Sequence, residues 1–446
     1  MIAKIIINKA GFHLFYLGMI ILLSGCHAYV LDEAQHDLRS SFTSGNYQES
    51  SQLLQEFKHK EVYKTKDAVL KNLEAGLIHH FAGNFDSSSV FFDNAELLID
   101  DAYTKSISRG FKAMLVNDNT LVYDGEPYED IYLNAFKSLN YIHQNKWEAA
   151  LVETRKMAFK MEQLDIRLKG LAEAFAREDT TGNRQWHSGK SNIQNSAFSH
   201  YLATILYAKS GKPDDARIEF EKLNIALSEQ KKLNKRASTK RAELDIIQQP
   251  DSYNVLITAF SGQAPIKKQE DFRLWVDGND GENSFYVKFS LPQIDLYRSR
   301  VHHIRVLTDS LPPYDLELIE EMDVVSEEVY KAKMPIIYTR SLLRATMKAS
   351  GSSYIASSVR DKNKGLGFLV DILGIIGQES SEKADLRGWQ TMPGKAWMNV
   401  INLPHGINEI QIQYLSASGA ILYSEKRTIK ITEQTQLGLI ESIYSY

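Results

Sequence analysis

The chain is poor in cysteine. Cys26 is the only one in 446 residues, so no disulfide forms within the chain and no cysteine-pair spacing is present to hold zinc. No His-Glu-x-x-His run occurs. The neighbouring pairs His79-His80 and His302-His303 point their rings apart rather than around one metal ion. An excess of one charge is also lacking. The 52 Lys and Arg stand against 56 Asp and Glu, a net of −4, which gives no field for nucleic acid. No Gly-x-Ser-x-Gly elbow is found. Gly189-Lys190-Ser191 imitates the end of a phosphate loop, but Arg184 stands where that motif needs its first glycine. Gly365-Leu366-Gly367 lacks the third glycine of a dinucleotide fingerprint, since Val370 is there instead. These absences point away from an enzyme, and no metal or cofactor is expected.

What is present begins at the N-terminus. Lys4 and Lys9 precede an apolar run from Phe12 to Leu23, broken only by His13 and Gly18, and Leu23-Ser24-Gly25-Cys26 follows. This reads as a lipoprotein signal peptide over residues 1–25, with Cys26 as the lipidated residue. The alternative is an ordinary signal peptide, or a signal anchor, with an accidental cysteine. The run is short of the roughly 20 apolar residues that span a bilayer, and no later segment reaches that length. Removal of Lys4 and Lys9 would take the net charge from −4 to −6. Residue 27 is His. In Gram-negative lipoproteins Asp at this place retains the protein at the inner membrane, so the resemblance implies the outer membrane, lipid-anchored and facing the periplasm.

Residues 26–247 read as helical repeats. Four turns share one pattern: Gly45-Asn46-Tyr47, Gly83-Asn84-Phe85, Asn145-Lys146-Trp147 and Gly211-Lys212-Pro213. Each separates two apolar helical runs. Three positions after the last turn residue stands a small side chain, Ser50, Ser88, Ala150 or Ala216. Seven positions after it stand Leu54, Phe92, Thr154 and Phe220. Gly or Asn supplies the left-handed turn, and the small residue lets two helices approach. This resembles the tetratricopeptide repeat. The turns are 38, 62 and 66 residues apart, so the later gaps hold extra helices or loops and the array is irregular. The concave face of such arrays often binds a protein. Residues 178–195 read as a polar loop. The basic run 231–241 reads as a solvated helix face, with contact to anionic lipid headgroups as the alternative.

After Gln248-Gln249-Pro250 the pattern changes to period two, and residues 248–446 read as a strand-rich domain. Strands are expected at Val255–Phe260, Asp271–Val276, Ser284–Phe289, Arg300–Thr308 and Ile407–Tyr414, then at Ala420–Tyr423 and Arg427–Ile431. A helical insertion is expected over 314–349, with Pro335 as a break or first turn. The fold class is therefore α+β: an irregular tetratricopeptide-like array, then a sandwich-like β domain carrying a helix.

Three stretches give the chain a family resemblance: Tyr128-Glu129-Asp130 through Tyr141 to Arg155, Ser199-His200-Tyr201-Leu202 to Tyr207, and Ala384-Asp385-Leu386-Arg387-Gly388-Trp389 to Pro393. They resemble a family of uncharacterised bacterial lipoproteins that pair tetratricopeptide-like helices with a strand-rich C-terminal domain. The resemblance implies a periplasmic lipoprotein and no particular activity. Leu386 and Gly388 stand where the family usually has small polar residues.

Two further groups are candidates for recognition. Asp385, Arg387 and Trp389 alternate, so a strand would put them on one face, the acid pairing with the arginine and the ring covering both. The alternative is a structural ion pair. The apolar, glycine-rich run from Gly365 to Gly377 carries Phe368, Leu369, Ile372, Leu373 and Ile376. It reads as an element packed on the sheet, or as an exposed contact patch for a partner. The function expected from all this is a non-enzymatic scaffold or accessory subunit of a cell-envelope complex. It would be held by its lipid to the membrane and would bind a protein partner, not nucleic acid. The alternative is a peptidoglycan- or polysaccharide-binding protein or an envelope enzyme.

Overall fold

The computed structural model describes residues 30–108, 118–179, 185–233, 245–277, 284–350 and 383–446. Cys26 with the residues before it, most of the basic run 231–241, and the apolar segment Phe368, Leu369, Ile372, Leu373 and Ile376 lie outside them. A helical region is followed by strands with a long helix inserted, as expected from the pattern. Among the described residues no helix is long and apolar enough to cross a membrane.

The helical region is built of hairpins. Helix α1 covers residues 30–43 and α2 covers Tyr47–His59; α3 (Ala68–Phe81) pairs with α4 (Phe85–Ser108), α5 (Pro127–His143) with α6 (Trp147–Glu162), and α8 (Ala197–Lys209) with α9 (Pro213–Leu233). All four sequence turns fall between the two helices of a hairpin. Gly45, Gly83, Asn145 and Gly211 have φ of 76°, 79°, 56° and 69°. At each, the left-handed residue and the one after it bond back to carbonyls of the preceding helix, for example Gly83 N–H to His80 O at 3.0 Å and Asn84 N–H to His79 O at 2.8 Å. That double bond-back satisfies carbonyls a helix end otherwise leaves open. Ser50, Ser88, Ala150 and Ala216 have no exposed surface. The extra length in the later gaps is the 24-residue α4, helix α7 (Leu164–Glu178) and the extended segment 185–196.

The strand region follows the short helix α10 (Asp245–Gln248). One four-stranded sheet has the order β10-β1-β7-β6, from β10 (Gly438–Tyr444), β1 (Val255–Ser261), β7 (Lys395–Ile401) and β6 (Glu317–Glu320). β1 runs parallel to β10 and antiparallel to β7. A second sheet has the order β5-β4-β8-β9, from β5 (Tyr314–Asp315), β4 (His303–Thr308), β8 (Gly406–Leu415) and β9 (Ile421–Ile431). The two pack face to face. Val255, Ile257, Ala259 and Trp397 of the first share an apolar cluster with Ile304, Val306, Ile410, Ile412 and Tyr414 of the second. A hairpin of β2 (Ile266–Asp277) and β3 (Ser284–Asp295) stands apart and carries Phe289 and Leu291 onto helix α11 (Met322–Ser350).

The opposite face of the first sheet packs on the helices. Phe260 of β1 lies 6.1 Å from Phe81 of α3, 5.4 Å from Phe136 of α5 and 6.3 Å from Phe198 of α8, ring centre to ring centre. β1 is thus buried on both faces, and its run of apolar residues is what a doubly covered strand requires. One apolar core joins helices and sheet.

The structure corrects three local expectations. The inserted helix begins at Met322, not near 314, because residues 314–320 are taken up by strands: Tyr314 pairs with Val306 of β4, and Leu318 with Trp397 of β7. Pro335 neither breaks α11 nor starts it. Ala420–Tyr423 and Arg427–Ile431 belong to one strand, β9, paired throughout with β8. Gly189 has a packing reason rather than a phosphate. Its N–H donates to Ala332 O at 2.8 Å, and a Cβ there would sit 3.0 Å from Ala332 Cα.

Candidate functional site

Asp385, Arg387 and Trp389 do not lie on a strand. Residues 383–389 form a connection outside both sheets, held between the helical region and β2, where Ala384 N–H donates to Gln269 Oε1 at 3.1 Å. The acid and the arginine do pair: Arg387 Nη2 lies 2.6 Å from Asp385 Oδ2 and Nε lies 2.9 Å from Oδ1. Arg387 goes further, to Asp67 Oδ1 at 3.0 Å and to the carbonyls of Asp118 and Leu121 at 3.0 and 3.2 Å. Burial works against its charge, and Asp385 and Asp67 outweigh it, so its pKa is raised. Trp389 does not cover this pair. Its ring lies against Phe92 and Phe136, 5.7 and 5.9 Å away, inside the core.

Two buried glutamates, which the sequence reading missed as a site, hold the same segment. Glu129 of α5 accepts from Trp389 N–H at 2.7 Å, and its other oxygen accepts from Tyr123 Oη and Glu126 N–H, both at 2.8 Å. Glu74 of α3 accepts from Gln390 N–H at 2.9 Å and from the Thr391 hydroxyl. Burial pushes both carboxyls up to about 7. A glutamate placed where a helix turns to the core was the available signal, but only the fold supplies the N–H groups that receive it.

Beside this segment, two small hollows of about 60 and 80 Å³ adjoin, sharing Asp124, Glu126, Leu171 and Lys333. They have room for a few waters rather than for a metabolite-sized ligand. Most of their charges are spent on one another. Glu126 accepts from Lys267 at 2.6 Å and Lys333 at 3.0 Å, Asp130 from Lys160 at 2.6 Å and Arg167 at 3.1 Å, and Arg340 lies 2.9 Å from Asp118. Burial raises the Glu126 pKa, and the two lysines outweigh it and hold it low. Chemically this is a clamp that fixes three chain segments to one another. Among the described residues no group of three or more His, Cys, Asp or Glu is placed to hold a metal ion. His79 stacks on Phe91, while His80 turns away toward Asn140 and Glu441.

The outer surface of the array carries a different feature. The second helix of three successive hairpins exposes an apolar residue at the same two places, five and twelve positions after its first residue. These are Val90 and Leu97 on α4, Val152 and Phe159 on α6, and Ile218 and Ile225 on α9. Leu97, Phe159 and Ile166 of α7 are 68%, 61% and 66% exposed. They flank one ion cluster, in which Glu96 meets Lys160 at 2.8 Å and Asp100 meets Arg167 at 3.0 Å. The inner side of the array, lined by the first helices α3, α5 and α8, is filled by the β1 sheet. The groove in which such arrays take a peptide is therefore occupied by the chain itself.

Compared with known proteins, the chain matches no family model, no curated protein and no solved structure. The fold and site define a helix-hairpin array closed on its inner side by its own β sandwich.

Proposed function

We propose that this protein is a non-enzymatic lipoprotein of the outer membrane, tethered through Cys26, that acts as a protein-binding scaffold or accessory subunit of a cell-envelope complex. The observation that carries the reading is the recurring outward apolar pair on α4, α6 and α9. Residues at these places add nothing to the core, and three hairpins keep them in the same register. Exposed apolar side chains that recur in one register along the outer helices suit a contact face. The buried charges support the same reading, since each is committed to a cation, a carboxylate or a backbone N–H that holds the segments together.

The experiment is photo-cross-linking in living cells from a probe placed at Phe159 or Leu97, with wild-type chain and Cys26→Ala compared. One protein adduct, formed by the wild type and lost in Leu97→Asp/Phe159→Asp, supports the scaffold. Loss of that adduct in Cys26→Ala places the encounter at the membrane. No adduct from either position, or turnover of an envelope polymer by the purified protein, overturns the reading in favour of a glycan-directed one.

A further inference from the structure

A groove of about 430 Å³ lies where α1, the segment 297–300 and the end of β10 meet. Its walls carry His36 and Arg39 from α1 and Arg298 and Arg300 from the segment, with Tyr297 and Tyr446 at its edge. Arg298 and Arg300 are exposed and Arg39 is half-buried. Unlike the cations beside Arg387, none of these three arginines is paired with a carboxylate side chain among the described residues. Asp37 stands at the rim, 3.8 Å from His36. Tyr297 and Tyr446 are 39% and 52% exposed, and rings with a polar tip favour the level of lipid headgroups.

The position of the groove in the chain gives these charges a meaning. Three residues separate Cys26 from Val30, so the four Cα-to-Cα steps of the connection reach at most about 14 Å. Arg39 lies nine residues further along α1, about 14 Å of helix. A lipid on Cys26 therefore keeps the groove within a short distance of a bilayer. Three guanidinium groups without a carboxylate partner among the described residues suit phosphate, each offering a planar fork of donors.

We propose that this groove docks on the membrane that holds the anchor, seating the phosphates of anionic phospholipid headgroups against Arg39, Arg298 and Arg300. The proposal rests on reading Cys26 as lipid-bearing. It sets the orientation of the whole molecule: α1 and the end of β10 face the bilayer.

The test uses the lipidated full chain, mixed with vesicles of phosphatidylcholine alone or with one-third phosphatidylglycerol. Two readouts separate the two ideas. Retention on neutral vesicles reports the anchor. Deuterium exchange over residues 297–301 on anionic against neutral vesicles reports the groove. Each arginine near an anionic surface strengthens contact about fivefold, so three slow exchange there by on the order of 100-fold. Arg298→Glu/Arg300→Glu is expected to return the rate to that on neutral vesicles, and Arg39→Gln to lose about fivefold of the protection. Arg298 and Arg300 are exposed, and half-buried Arg39 lies outside the apolar core, so both changes leave the core intact. Equal exchange on the two vesicles overturns the groove whatever the anchor does. Equal protection by millimolar inorganic phosphate without vesicles also overturns it, in favour of a free-anion site. Protection on anionic vesicles without retention on neutral ones upholds the groove and refutes the anchor.

Discussion

Glu441→Gln tests the clasp that joins the last strand to the repeats. Glu441 of β10 reaches His80 of α3, Oε1 to Nε2 at 3.1 Å, and His143 of α5, Oε2 to Nε2 at 2.6 Å. The other nitrogen of His80 lies 2.7 Å from Asn140 Oδ1. That amide is fixed by its neighbours: Ser88 Oγ donates to Gly76 O at 2.7 Å, so it accepts from Asn140 Nδ2 at 2.9 Å, which turns Oδ1 toward the imidazole. Both nitrogens of His80 then face acceptors, and the ring is doubly protonated. Burial opposes this charge, and Glu441 and Asn140 outweigh it, raising the His80 pKa. Burial likewise opposes the Glu441 charge, and His80 and His143 outweigh it, lowering that carboxyl from 4.5 to about 2.

A shift of that size corresponds to about 3 kcal/mol of stability held by the charged pair. The sign follows from each group. Glu441, with its folded pKa lowered, stabilises fully above its unfolded value near 4.5 and loses this as the pH falls toward 2. His80, with its folded pKa raised, stabilises fully below about 6.5 and loses this as the pH rises through the folded value. Urea unfolding followed by circular dichroism at pH 5.5 and 9.5 is the assay. The variant is expected to lose about 3 kcal/mol at pH 5.5 and less at pH 9.5, because the wild type gives up the charged ring as the pH rises through the raised His80 value. An equal loss at both values, or a loss below about 1 kcal/mol at pH 5.5, refutes the charged clasp and leaves only packing at this joint.

Two further outcomes follow from the same reasoning. Glu74→Gln removes a buried charge whose pKa burial has raised from 4.5 to about 7, so its cost to stability grows from about pH 4.5 and is complete above about pH 7; the variant is expected to be more stable than wild type at pH 8.5, by up to about 3 kcal/mol, and to differ by less than about 1 kcal/mol at pH 5, in paired denaturation curves. Gly189→Ala would press a methyl group against the backbone of Ala332, 3.0 Å from its Cα, and is expected to cost about 1–3 kcal/mol; an unchanged unfolding midpoint would show that the 185–196 segment moves freely off α11.

The sequence by itself determined the parts whose physics is local. The four hairpin turns were legible because a left-handed residue, an aromatic or proline at the next helix start, and a buried small residue all lie within a few positions of one another. The alternating strand Ile407–Tyr414 and the continuous apolar run Val255–Phe260 were legible for the same reason. Even the Asp385–Arg387 pair could be read from its spacing, though not the strand assumed to carry it. Tertiary structure alone decided what those parts meet. Strands β7 and β10 were missed because the pairing that forms them joins residues far apart: β10 lies parallel to β1, and β7 closes the other side. Glu74, Glu129 and Glu441 carry no mark of a site in the sequence until the fold buries them opposite backbone N–H groups or histidines. Which face of the repeats stays free was likewise invisible in the sequence. Phe260 is an ordinary strand residue there, and only the packing of α3, α5 and α8 around its ring shows that the chain fills its own inner groove and leaves the apolar residues of α4, α6 and α9 exposed.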